Sequence, residues 1–244
     1  MRKLSVLALA TLLSTIATIG LGGRPASAEW FADLFGGLSF TRSHDLKLDD
    51  RGIGRGTFED VEFDRSLSWG GRAGRYLDAV PFLGLGVDFF RFYPYIGPQS
   101  VQLRGCFFPG GCGTGRGGTG SFDVETTALS VDLMLRLPLF RTDDAPGGRV
   151  QPYVAVGPPL FITTITPRHT RDFRNHDSDT DLSFGYKLAG GLAVSVYKNL
   201  AVFGEYRFTH VSPEVELRDA NLSRTTLGTD LDTHSALFGL STRW

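Results

Sequence analysis

The chain has 244 residues, with 25 basic and 26 acidic side chains and a formal net charge of −1. That balance excludes the basic footprint of a nucleic-acid-binding protein and the polyanionic tail of a solvating segment. The length suits a single all-β domain used whole, and no shift in composition marks a linker or a second domain.

At the N-terminus Arg2 and Lys3 precede an apolar run from Leu4 to Leu21, followed by Ala26-Ser27-Ala28. A basic start, an apolar middle and small residues at the end are the parts of a secretory signal peptide. Residues 1–28 are therefore expected to be the signal peptide and 29–244 the mature domain. Beyond the signal no stretch of about 18 consecutive apolar residues occurs, so no transmembrane helix is expected.

The mature chain reads as strands. Predicted segments fall at 30–41, 66–76, 82–93, 129–139, 152–164, 182–194, 200–208 and 235–244. In 129–139, Leu129, Val131, Leu133, Leu135, Leu137 and Leu139 share one face, while Ser130, Asp132, Met134 and Arg136 share the other. An aliphatic face opposite a face with both an acid and a base suits a strand between hydrocarbon and a polar interior. Leu200, Val202, Gly204, Tyr206 and Phe208 repeat the pattern, as do Ala236, Phe238, Leu240, Thr242 and Trp244. Trp69, Tyr206, Phe208 and Trp244 are candidate girdle residues. Glycines such as Gly70, Gly74 and Gly190 fit sharp bends or crowded interior positions. Pro158-Pro159 predicts a bulge or an early end in the fifth strand, because proline cannot donate to a ladder.

Connector lengths alternate. Tyr76 to Pro81 and Ser195 to Asn199 are short and Arg141 to Gln151 is moderate, whereas 42–65, 94–122, 167–181 and 212–230 are long and polar. The predicted fold class is an all-β, eight-stranded antiparallel up-and-down transmembrane β-barrel, with both termini periplasmic and four long loops at the cell surface. Gly113 to Gly120 reads as a flexible loop, lacking the lysine and following helix of a phosphate-binding loop. A soluble lipocalin-like barrel is the alternative and would fractionate away from membranes.

Pro81-Phe82-Leu83-Gly84-Leu85-Gly86-Val87-Asp88, Gln151-Pro152-Tyr153-Val154-Ala155-Val156-Gly157, Phe203-Gly204-Glu205-Tyr206-Arg207-Phe208 and the ending His234 to Trp244 carry a resemblance. In order and spacing they resemble the porin-like outer-membrane β-barrel domain family, the small barrels related to the transmembrane domain of outer membrane protein A. The resemblance implies location in the bacterial outer membrane among lipid and lipopolysaccharide. It also implies that Trp244 belongs to the C-terminal signal read by the barrel-assembly machinery.

Strand facing gathers candidate lumen residues: Asp33, Asp88, Asp132 and Glu205 against Arg72, Arg136, Lys187 and Arg207. Four acids meet four bases. An eight-stranded barrel is just wide enough for side chains to fill it, so these groups read either as a structural plug or as a gate of exchanging salt bridges. Cys106 and Cys112, the two cysteines of an exported chain, are expected to form a disulfide. The histidines at 44, 169, 176, 210 and 234 lack zinc spacings, so neither a metal nor a cofactor is expected.

His210, Ser212, Glu214 and Glu216 are similar to the histidine, serine and acid of lipid A deacylase barrels, with Pro213 where that family usually has asparagine. The leading reading is a monomeric, non-enzymatic outer-membrane protein with an envelope-structural role, presenting its long loops to an unidentified surface ligand. The alternatives are a narrow transport pore gated by the lumen charges, and a lipid A deacylase-like enzyme.

Overall fold

The structure, a computed structural model, describes residues 29–50, 54–107, 110–141, 148–167, 179–218 and 224–244. The expected signal peptide lies outside them. Alternating β-branched, aromatic and small residues build seventeen strands and no helix among the described residues. They are β1 (Trp30–Thr41), β2 (His44–Asp50), β3 (Gly54–Val61), β4 (Ser66–Tyr76), β5 (Leu83–Phe92), β6 (Tyr95–Ile96), β7 (Ser100–Phe107), β8 (Gly111–Gly118) and β9 (Phe122–Arg136). The second half adds β10 (Val150–Gly157), β11 (Pro159–Pro167), β12 (Asp179–Phe184), β13 (Tyr186–Tyr197), β14 (Leu200–Val211), β15 (Glu214–Arg218), β16 (Arg224–Gly228) and β17 (Leu231–Arg243).

Eight staves close a barrel: β1, β4, β5, β9, β10 with β11, β12 with β13, β14 and β17. All pairings are antiparallel, and closure is made by β17 against β1, from Phe31↔Arg243 to Thr41↔Thr233. Each stave overlaps one of the eight predicted segments. Every stave also presents large apolar side chains outward, among them Leu34 at 73% exposure, Leu67, Leu85, Leu133, Val154, Leu188, Val202 and Phe238. Such a continuous apolar surface has no place in water and is the lipid-facing belt of a transmembrane barrel.

Two expectations about continuity change. The fifth stave neither bulges nor ends at the prolines. Val156↔Leu133 and Pro159↔Ser130 keep one register across the break, so no residue is inserted. Proline removes a donor but tolerates an extended backbone, and the Pro159 carbonyl still accepts from Gly185 N–H at 3.0 Å. The fourth stave starts at Phe122, well before position 129.

The long connectors are largely strands as well. The hairpins β2–β3, β7–β8 and β15–β16 join edge to edge in a six-stranded sheet of order β15-β16-β2-β3-β7-β8 above the outer rim. Gly113 to Gly118, expected as flexible loop, lies in β8 and pairs with β7. Glycine does not prevent a ladder when the partner strand supplies the register. Residues 168–178 of the remaining long connector lie outside the described residues.

Glycines inside the barrel make room for rings. A Cβ on Gly239 would stand 2.3 Å from the Leu34 carbonyl oxygen and 2.6 Å from the Phe203 ring, at the closing seam. On Gly36 it would meet nothing nearer than 3.7 Å. Gly239→Ala is accordingly expected to lower the unfolding midpoint of the refolded barrel in urea, by about 1–3 kcal/mol of overpacking, while Gly36→Ala leaves it near the parent value.

Candidate functional site

Inward positions on six staves bring seven charged side chains into one chain of contacts across the bore. Arg72 on β4 donates through Nε and Nη2 to Asp33 Oδ2 on β1, at 2.9 and 2.8 Å, and through Nη1 to Glu205 Oε2 on β14 at 3.0 Å. Arg207, two residues along the same inward face of β14, donates through Nη2 to Glu205 Oε1 at 2.7 Å and reaches Asp88 Oδ2 on β5 at 2.9 Å. Lys187 Nζ on β13 then bridges Asp88 and Asp132 Oδ2 on β9, at 2.6 and 2.5 Å. The sequence of contacts is Asp33, Arg72, Glu205, Arg207, Asp88, Lys187, Asp132, with acid and base in strict alternation.

All seven are buried, and Lys187 and Asp88 have no exposed side-chain surface. Charges at this depth persist only when paired and hydrogen-bonded. Tyr153 donates to Glu205 Oε2 at 2.8 Å and Ser130 Oγ to Asp132 Oδ1 at 2.5 Å. The cations also lie over aromatic faces: the Arg207 guanidinium is 4.6 Å from the ring centres of both Phe35 and Phe90. Each stack adds an attraction of the cation–π kind in a desolvated setting. Asp33 Oδ1, Asp88 Oδ1 and Arg207 Nη1 have no hydrogen-bond partner among the described residues.

Arg136 does not join this chain. It is buried at the periplasmic end of the bore, paired with Glu29 at 2.7 Å, with its guanidinium 3.5 Å from the centre of the Tyr76 ring. Four residues separate Arg136 from Asp132 on β9, about 13 Å along the strand, which places it in a different layer. The expected balance of four acids and four bases is therefore corrected to four acids and three bases in the central chain, with Arg136, Glu29, Arg243 and Gln151 forming a separate rim cluster.

Apolar layers close the bore on both sides of the charges. Phe31, Tyr76, Met134 and Phe203 lie toward the periplasm, and Phe90, Phe92 and Phe161 toward the surface. Still further out, Leu46, Val61, Ile96, Val211, Val215, Leu227 and Leu231 form an apolar core inside the hairpin sheet. A void of about 10 Å³ beside Asp33, Arg72 and Tyr153 has room for one water.

The other candidates sit at the ends. Cys106 and Cys112 face each other across β7 and β8 and form a disulfide. Trp244 lies exposed at the periplasmic end, its amide N–H donating to the Trp30 carbonyl at 3.1 Å. The residues of the hydrolase reading are not brought together as a triad. His210 Nδ1 pairs with Asp232 Oδ1 at 2.5 Å, Ser212 donates to Asp230 at 2.5 Å, and Glu214 and Glu216 lie on β15. Above the outer girdle, Asp232 is held below the usual carboxylate range: partial burial pushes it up, but the His210 hydrogen bond and charge, helped by His44, outweigh that.

Several contributors were not legible. Tyr153, Phe35 and Phe90 look like ordinary strand residues, and only the register places them against charges. Gly157 is another: a Cβ there would stand 2.3 Å from Asp132 Oδ1.

With the geometry in place, comparison with solved structures is informative about architecture. The outer membrane protein OprG of Pseudomonas aeruginosa superimposes with a TM-score of 0.53 at 12% identity, over 88% of this chain and 95% of that one. The fold is that of an outer-membrane β-barrel. Neisserial surface protein A also aligns, at 13% identity and a TM-score of 0.44 over 91% of this chain and 99% of that one, as does the Escherichia coli outer membrane protease OmpT, at 10% and 0.42 over 92% and 99%. No family model matches the sequence, and no curated protein matches it.

Loss of the last base of the chain tests its energetics. Lys187→Met leaves Asp132 without a cation beside Asp88, which keeps only Arg207, and is expected to cost about 3–5 kcal/mol in urea unfolding. Adding Asp132→Asn is expected to recover part of that loss.

Proposed function

We propose that the protein is a closed, non-enzymatic barrel of the bacterial outer membrane that serves envelope structure and presents its outer hairpin sheet to a surface ligand. The observation that carries this reading is the filled bore. Seven buried charges are locked in one alternating chain between aromatic layers, and the void beside them is about 10 Å³. A gate of exchanging salt bridges would need space for a side chain to swing aside. Close packing on both sides favours a plug.

The location rests on the apolar belt, the barrel fold and the signal-like N-terminus. In this setting the surrounding partners are outer-membrane lipid and lipopolysaccharide, and Trp244 would be read by the barrel-assembly machinery. A non-enzymatic role is favoured by the separate engagement of His210 and Ser212 with two different aspartates. The outward face of the hairpin sheet, with Arg104, Cys106, Thr114 and Arg116 exposed, is the surface offered for contact.

Conductance of the refolded exported chain in a planar bilayer tests the closed reading. Silence is expected from protein shown to be folded by its heat-dependent gel mobility. Steady channels whose conductance changes in Glu205→Ala would replace the plug by a gate.

A further inference from the structure

Small outward residues interrupt the lipid-facing belt on β1 and β4, at Gly36 and Gly71, and again on β13, β14 and β17. In the second place Gly204 leaves a groove of about 540 Å³ walled by Leu192, Val194, Val202, Phe238 and Leu240. The small outward residues Gly190, paired with Tyr206, and Ala236, also paired with Tyr206, continue the track toward the surface end.

At its outer end the track meets a cluster that the lumen does not use. Tyr206 Oη and His234 Nδ1 are 2.6 Å apart, and the Phe208 and His234 rings are 5.1 Å apart. One level higher, Asp232 takes His210 Nδ1 on one oxygen and His44 Nε2 on the other, at 2.5 and 3.1 Å. That arrangement engages the single carboxylate of the cluster and leaves each ring its second nitrogen.

Two arginines complete it. Arg65 lies over the Phe40 ring at 5.4 Å, and Phe40 is paired with His234 across β1 and β17. Arg42, whose amide N–H donates to the Asp232 carbonyl at 2.9 Å, lies two residues beyond Phe40. Both are exposed, and neither has an ion pair among the described residues. Exposed guanidinium groups without a carboxylate partner suit a phosphate, which they can bind bidentately.

Gly204 lies six residues below His210 on β14, about 20 Å along the strand and about 15 Å in depth at a tilt near 40°. That matches one leaflet of a hydrocarbon core about 30 Å thick. We propose that this face holds one phosphorylated outer-leaflet lipid, its phosphate between Arg42 and Arg65 beside the histidines, and an acyl chain in the groove over Gly204. The apolar floor and the cationic head together select a lipid phosphate over a soluble anion. A site of this kind requires the barrel to sit in a membrane, and it stands whether or not the bore conducts.

Native mass spectrometry of the exported barrel in neutral detergent, titrated with dimyristoyl phosphatidic acid, dimyristoyl phosphatidylcholine or inorganic phosphate, tests the proposal. One phosphatidic acid is expected to be retained per barrel, at least ten-fold more tightly than phosphatidylcholine, with inorganic phosphate bound far more weakly than either. The double variant Arg42→Gln with Arg65→Gln is expected to erase the preference between the two lipids. Gly204→Leu fills the groove while its Cβ meets Phe238 at an ordinary 3.6 Å, and it is expected to weaken both lipids without changing heat-dependent gel mobility. Equal retention of the two lipids by the parent barrel would overturn the proposal. So would unchanged binding in the arginine variant, inorganic phosphate bound as tightly as the lipid, or a doubled mass showing a second copy seated on the groove.

Discussion

Seven charges held in a bore no wider than their own side chains are the constraint on which the rest of the barrel depends. Each cation of the chain has acids on two sides, supplied by different staves, so no local segment can satisfy the chain by itself. Register is fixed accordingly. A slip of one residue in β14 would turn Glu205 and Arg207 toward hydrocarbon and Tyr206 into the lumen. The same side chains that cost most to bury therefore specify which strands pair, and how. The aromatic layers above and below keep water from competing for those pairs, which is why the plug and the packing around it act as one unit.

The outer half follows a different logic. Once the staves rise beyond the membrane, their inward faces change from charge to aliphatic residues, and the hairpins lay Leu46, Val61, Val215 and Leu227 over the mouth. The sheet covering the barrel is thus a small hydrophobic core of its own, held to the barrel because β1 runs on toward β2 and β3 returns toward β4. Where the β12 edge meets β15, the ladder is replaced by side chains: Asp179 and Asp181 accept the backbone N–H groups of Glu216 and Glu214 at 2.9 and 3.3 Å. Their role at this seam is to satisfy backbone donors that a strand edge would otherwise leave open. Rigid backbone beneath an exposed surface is what a contact site needs, and it connects the closed bore to the outward sheet.

Alternation made the barrel legible because lipid on one side and lumen on the other impose a period of two on every stave. The inward charges were legible for the same reason, and Asp33, Arg72, Asp88, Asp132, Lys187, Glu205 and Arg207 do meet. Facing does not give depth, however. Arg136 shares the inward face of β9 with Asp132 but lies four residues nearer the periplasmic end, where its partner is Glu29 and not a member of the chain. The hairpins were hidden differently. Their strands are short and polar on the outer face, and in β8 alternate positions are glycine, so the period-two signal disappears although the ladder with β7 is complete. Gly157 shows the limit most clearly: its reason is the Asp132 carboxylate on a neighbouring strand.

Water exclusion from the lumen is the claim on which this account turns, and osmotic water permeability measures it most directly. Vesicles carrying the refolded barrel are predicted to shrink, after a jump in external sucrose, at the rate of protein-free vesicles of the same lipid. Faster shrinkage that scales with the amount of barrel and slows when Gly157 is enlarged would mean that water threads past the charges, contradicting a sealed interior.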